Sequence, residues 1–122
     1  MLERLARQGF SDVKQTHLRV FRNIDYDGTR ASEIAARVMV TKGAISQMLA
    51  ECERLGYVLA STDEMDARAK VVKFTLKGRK LVQACRKVIA EVELDFEATI
   101  GARDYDQLKK LMMKVRSSLK AS

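Results

Sequence analysis

The chain has no proline, 6 glycines, 2 cysteines and a single histidine among its 122 residues. So little proline and glycine leaves few irregular loops and points to a helix-rich architecture. Cys52 and Cys85 fall on separate predicted helices, and one distant His17 completes no metal-ligand spacing, so neither a disulfide framework nor a metal centre is expected. No apolar run approaches the ~20 residues that span a bilayer. The start, Met1-Leu2-Glu3-Arg4-Leu5-Ala6, lacks the uninterrupted apolar stretch of a secretory signal. A cytoplasmic protein with reduced thiols is the expectation. A Gly-rich phosphate loop, a nucleophile beside a base and paired carboxylates in an apolar setting are also missing. Enzymatic activity and a cofactor are therefore not expected.

What remains is a chain with 47% hydrophobic and 32% charged residues, the balance of a globular protein. Its length suits one domain, residues 1–122, that buries roughly two thirds of its unfolded surface. The net charge is +7 and the sequence pI about 9.6, which favours a polyanionic partner, nucleic acid before an acidic membrane surface.

The most informative stretch is 32–78. Apolar residues at 34, 35, 38, 40, 45, 48 and 49 describe two short amphipathic helices around a corner, Met39-Val40-Thr41. Val40 plugs the angle and Thr41 is placed to cap the second helix, about 42–55, which Gly56 stops. Lys42, Ser46 and Gln47 are left facing outward, as base readout requires of a recognition helix. Two β-prone stretches follow, 57–60 and 70–75, around a polar tip at 63–68, so the pair reads as a hairpin or wing. Upstream, a helix over 2–8 breaks at Gly9. Ser11 is expected to cap a second helix, with Val13, His17, Val20, Phe21 and Ile24 on its apolar face, ending in the turn cluster 25–28. Thr29-Arg30 forms a very short strand.

Two long helices close the chain. One runs over about 76–99 with Leu81, Cys85, Val88, Ile89, Val92 and Phe96 on one face, and spans ~36 Å. The other, about 103–119, carries Tyr105, Leu108, Leu111, Met112, Val115 and Leu119 on one stripe. Together with 2–8 they hold more apolar surface than a small winged domain can cover, so a homodimer built from these segments is expected. The fold class is thus mostly α with a small β-hairpin wing: a winged helix-turn-helix with long terminal dimerisation helices.

This order of elements resembles the multiple-antibiotic-resistance regulator (MarR) family of bacterial winged-helix repressors. The resemblance rests on Arg30-x-x-Glu33-Ile34-Ala35, Thr41-Lys42-x-x-Ile45-Ser46, Glu53-Arg54-Leu55-Gly56-Tyr57-Val58, Asp66-x-Arg68-Ala69-Lys70 and Thr75-x-x-Gly78. It implies a homodimer on a pseudo-palindromic double-stranded DNA operator, with 42–55 in the major groove. It also implies that Arg68 at the wing tip enters the minor groove, that Asp66 fixes the tip, and that a small aromatic effector relieves binding. The chain departs from the family at Ala60, where an arginine is usual, at Glu64 in place of proline, and at Met39 in place of glycine. Its first helix is also short for the family.

The DNA-facing candidates are Arg30, Thr41, Lys42, Gly43, Ser46, Gln47, Asp66, Arg68 and Lys70. Gln can pair bidentately with adenine and Lys can donate to guanine O6/N7. Arg68 suits the negative potential of a narrow minor groove. Arg30 is either a phosphate anchor or the partner of Asp27 or Glu33. His17 and Phe21 are ligand candidates, against the blander reading of a satisfied core histidine. Cys52 sits between Glu51 and Glu53, which makes it a poor redox sensor, and Cys85 reads as core. Phe10, Phe21, Tyr26, Phe74, Phe96 and the methionines read mostly as core. A winged helix used for non-specific, architectural DNA binding or for protein–protein contact is the alternative function, made credible by Ala60 and Glu64.

Overall fold

The computed structural model describes residues 1–121, with side chains through Leu119. Six helices and three strands follow in the order α1 (Leu2–Arg7), α2 (Gln15–Phe21), β1 (Thr29–Arg30), α3 (Ala31–Val38), α4 (Lys42–Arg54), β2 (Val58–Thr62), β3 (Lys70–Phe74), α5 (Leu76–Ile100) and α6 (Ala102–Ala121). They form two compact units, Met1–Arg86 and the chain from Lys87 onward.

In the first unit the antiparallel sheet is ordered β1-β3-β2, with Val58 opposite Phe74 and Thr62 opposite Lys70. Thr29 and Arg30 pair with Val72 and Val71, so the short strand at the mouth of the helix pair exists. Ile34, Ala35 and Val38 of α3, and Ile45, Leu49 and Cys52 of α4, are all buried. Phe21 of α2 meets the rings of Tyr57 and Phe74 edge-on at 5.7 and 6.0 Å. Such edge contacts add to the burial of large rings. The corner between α3 and α4 is closed by Met39, which takes a left-handed conformation at φ 63°, ψ 47° with its side chain in solvent. Thr41 then caps α4 as expected, its hydroxyl accepting the Ala44 N–H at 3.1 Å.

The second helix starts later than the sequence indicated. Ser11 is not its cap: residues 11 and 12 form a turn, Lys14 is extended, and α2 begins at Gln15. The imidazole of His17 reaches back, Nδ1 accepting the Lys14 backbone N–H at 3.0 Å, and this bond closes the helix end.

A second cap fixes the start of α5. The Thr75 hydroxyl accepts the Gly78 N–H at 3.1 Å and donates to the Gly56 carbonyl, while the Thr75 N–H donates to Tyr57 O at 3.1 Å. Gly78 lies so close to this turn that a Cβ there would stand 2.0 Å from Tyr57 O. The Thr-x-x-Gly pattern thus has a steric cause. Lys77 adds its ammonium to the Leu55 carbonyl at 2.7 Å and to the face of Tyr57. The Tyr57 hydroxyl donates to the Asp12 carboxylate.

The second unit holds the later part of α5 and α6, turned at Gly101 with φ 91°. Val88 and Tyr105 are buried, whereas Leu94, Phe96, Leu111, Met112, Met113, Val115 and Leu119 are exposed. The expectation that Tyr26, Phe96 and the methionines lie in the core fails here. Tyr26 is 57% exposed, and Met1, Met39, Met65, Met112 and Met113 are exposed as well. Helical spacing identifies a shared face; it does not say what covers that face.

Candidate nucleic-acid interface

The first turns of α4 present Lys42, Gly43, Ser46 and Gln47 to solvent, while Ile45 and Leu49 on the opposite side are buried. A Cβ placed on Gly43 would meet nothing within 4 Å, so the packing of the chain does not demand glycine there. The outward set named from sequence is the one the fold exposes.

The wing is shaped by two aspartates. Asp66 Oδ1 accepts the Arg68 N–H at 3.0 Å, and the Asp66 carbonyl accepts the Ala69 N–H at 3.0 Å. Arg68 Nε stands 3.5 Å from the same carboxylate, and its side chain is 94% exposed at the tip. The Asp63 N–H donates to Ala69 O at 2.9 Å and closes the hairpin. Asp63 Oδ1 also accepts the Met65 N–H at 2.8 Å, a local side-chain turn that aspartate makes readily. This bond, followed by the Arg30 guanidinium, holds the Asp63 carboxyl below the usual range.

Arg30 therefore pairs with neither of the partners weighed from sequence. Its Nε and Nη2 converge on Asp63 Oδ2 at 2.9 and 2.8 Å. Glu33 binds Arg37 instead, at 2.8 Å, and Arg37 also forks onto both oxygens of Asp25 at 3.1 Å. That fork lowers the Asp25 pKa, raises that of Arg37, and ties α3 to the turn before β1.

Arg30, Ala31 and Ser32, the start of α4 (Lys42, Ile45, Ser46) and the wing (Asp66, Arg68, Ala69, Lys70) together line a groove of about 440 Å³. Arg30, Lys42, Ser46, Asp66, Arg68 and Lys70, all named from sequence, meet in it; Thr41, Gly43 and Gln47 stand exposed on or beside α4. Four cations and one carboxylate around an open groove form a surface suited to an anionic backbone. Sequence reading overlooked Ser32 and the role of Asp63. An aspartate two residues ahead of a turn amide was the one available signal.

His17 and Phe21 lie elsewhere, in the core of the first unit, their rings 6.4 Å apart. His17 is 2% exposed, and its Nε2 lies 3.4 Å from Glu51 Oε1 on α4, outside hydrogen-bonding geometry. Contact with His17, and then the Lys14 ammonium, lowers the Glu51 pKa. Cys52 is fully buried and burial pushes its thiol up to about 12; burial raises Cys85 as well. Neither thiol has the depressed pKa a redox sensor needs. Among the described residues no three His, Cys, Asp or Glu are grouped to hold a metal ion, and no helix is long and apolar enough to cross a membrane.

A recognition helix presented beside a β-hairpin, with cations from both lining one groove, defines a winged helix-turn-helix protein. Residues 11–69 match the sequence model of the MarR family. The fold is similar to that of MepR of Staphylococcus aureus bound to ethidium bromide, with 25% identity, 88% of this chain and 79% of that one covered, and a TM-score of 0.66. FabT of Streptococcus pneumoniae in complex with DNA is 18% identical, with 92% and 79% covered and a TM-score of 0.76. A mutant MarR from E. coli is 22% identical, with 93% and 83% covered and a TM-score of 0.76. No curated protein sequence matches the chain. Residues 11–69 are thus similar in sequence to the MarR family, and the fold of the chain is similar to that of these solved structures.

Proposed function

We propose that the protein is a homodimeric, sequence-specific repressor of pseudo-palindromic operators, relieved by a small aromatic ligand. One observation carries this reading: the groove in which Lys42, Ser46, Arg68 and Lys70 converge from α4 and the wing. In it, residues 29–75 bind DNA, and helices about 2–8, 76–99 and 103–119 of the same single domain hold the dimer. Lys42, Ser46 and Gln47 read base edges in the major groove, and Thr41 and the bare backbone of Gly43 let the duplex approach closely. Arg68 enters the minor groove, and Lys70 meets phosphate, with Asp66 holding the tip.

The exposed apolar residues of α6 support the dimer, since isolated chains rarely leave such a stripe in water. Two heads about one helical turn apart, ~34–36 Å, would then face successive major grooves. FabT in complex with DNA supports the partner, and MepR bound to ethidium bromide supports an aromatic effector. His17 and Phe21 belong to a closed ring cluster, so a ligand reaching them acts by parting it.

Selection of bound sites from random duplex DNA tests the proposal. The expected result is two inverted half-sites at a fixed spacing. Arg68→Ala weakens binding to them and lowers the salt slope by ~0.9 for each phosphate that the arginine neutralises. Gln47→Ala relaxes one base position per half-site, worth ~1–3 kcal/mol. Unchanged affinity and footprint in both variants would remove the model. Ala60 and Glu64, which withdraw one positive charge and add one negative charge near the wing, favour the architectural alternative, read as a ratio of specific to random-duplex affinity near one.

A further inference from the structure

We infer that Arg30 and Asp63 are positioning residues of the interface, an ion pair that sets the wing against the start of α3, and that Arg30 does not take a phosphate. The inference rests on the DNA-binding reading and assigns Arg30 a different role within it.

Every polar group of Asp63 that hydrogen-bonds here points at a different segment. Oδ2 receives Nε and Nη2 of Arg30 at 2.9 and 2.8 Å, Oδ1 receives the Met65 N–H at 2.8 Å, and the Asp63 N–H donates to Ala69 O at 2.9 Å. One residue therefore joins the β1–α3 junction, the turn at the wing tip and the strand that leaves it. Arg30 is suited to the other end of the clamp. Its backbone is paired with Val71 of β3 and it is the residue that opens α3, immediately before Ala31 and Ser32 in the groove lining. The pair thus connects the helical side of the groove to its wing side.

The charge arrangement argues against a swap onto DNA. The Asp63 side chain is 14% exposed and that of Arg30 47%. Pulling the guanidinium away would leave a mostly covered carboxylate without its cation, beside incoming phosphates of the same sign. An unpaired covered charge and like-charge juxtaposition both oppose that exchange. With Arg30 neutralised internally, Lys42, Lys70 and Arg68 are the groove cations left for the duplex.

The test uses the full chain and the duplex recovered by selection. Arg30→Ala and Asp63→Asn are compared with Lys70→Ala, the asparagine keeping an Oδ1 acceptor for the Met65 N–H. Each clamp variant is expected to bind about fivefold more weakly, and the double variant no more weakly than either single one, the non-additivity of a shared pair. Their salt slopes stay at the wild-type value, whereas Lys70→Ala lowers its slope by ~0.9. Arg30→Lys, which keeps one donor, recovers part of the affinity. In the free protein, amide exchange at Asp63 and Ala69 accelerates in both clamp variants. A slope lowered by ~0.9 in Arg30→Ala, together with tighter binding by Asp63→Asn, would overturn the inference in favour of a phosphate contact. Unchanged exchange at Ala69 would overturn it independently of DNA. A wild-type protein without affinity for any duplex sinks the DNA-binding reading instead, and the exchange data still decide whether the pair orders the wing.

Discussion

The two units of this chain handle apolar side chains in opposite ways. In Met1–Arg86 the large hydrophobics are mostly gathered inside, with Leu5, Ile34, Tyr57, Val58, Val72 and Leu81 at or near zero exposure. From Lys87 onward Val88 and Tyr105 are buried, while Leu94, Phe96, Met112, Met113 and Leu119 are each more than half exposed. The first unit has a core of its own. The second has an amphipathic helix pair with most of its large apolar side chains exposed. Stability should therefore respond to substitution in the first unit, and association in the second.

The largest expected effect lies at the turn between β3 and α5. Gly78→Ala places a methyl group 2.0 Å from the Tyr57 carbonyl, so backbone must move, and the melting midpoint should fall by the equivalent of about 3 kcal/mol. A midpoint within a degree of wild type would show that this junction yields, and would weaken the contrast between the units. Next in size is a gain. Met39 is the one non-glycine residue with positive φ among those described, and its side chain is 87% exposed. Met39→Gly removes the left-handed strain with no packing to lose, and should stabilise the first unit by about 1 kcal/mol in a denaturant titration. The smallest effect on the fold belongs to the second unit. Leu111→Ser, at a position 49% exposed, should leave the unfolding free energy of the isolated chain within about 0.5 kcal/mol. Sedimentation of the same variant should show weakened self-association. A large loss of chain stability with unchanged mass would reverse the assignment of the two units.

Much of the fold was legible because its signals are local. Thr41 caps α4 as its position indicated, Gly56 ends that helix region with φ 88°, and the β-prone residues of 70–75 mark β3. The outward set Lys42, Ser46 and Gln47 followed from the 3.6-residue period alone. The misreadings share another cause. Ser11 looked like a cap because serine often is one, but α2 is closed from inside by His17, and an imidazole at that position carries no capping signature. For Arg30 the sequence offers a phosphate or the nearby Asp27 or Glu33, whereas its carboxylate comes from 33 residues downstream, across the sheet. Tyr26 and Phe96 were assigned to the core by residue type, and residue type does not reveal whether a neighbouring surface exists. The groove itself was half legible. Its residues could be named one by one, but that β1, α4 and the wing bring six of them around one space is a property of the tertiary fold.

Thr75 carries a mechanical consequence. Its single hydroxyl serves both the end of one segment and the beginning of the next, and Lys77 and Gly78 stitch the same spot from the other side. The connection behaves as a weld. A tug on the first turn of α5 reaches the tail of α4 through short bonds, with no slack linker to absorb it. Any bending must be taken up farther along α5, and α4 shares whatever tilt the root of that rod is given.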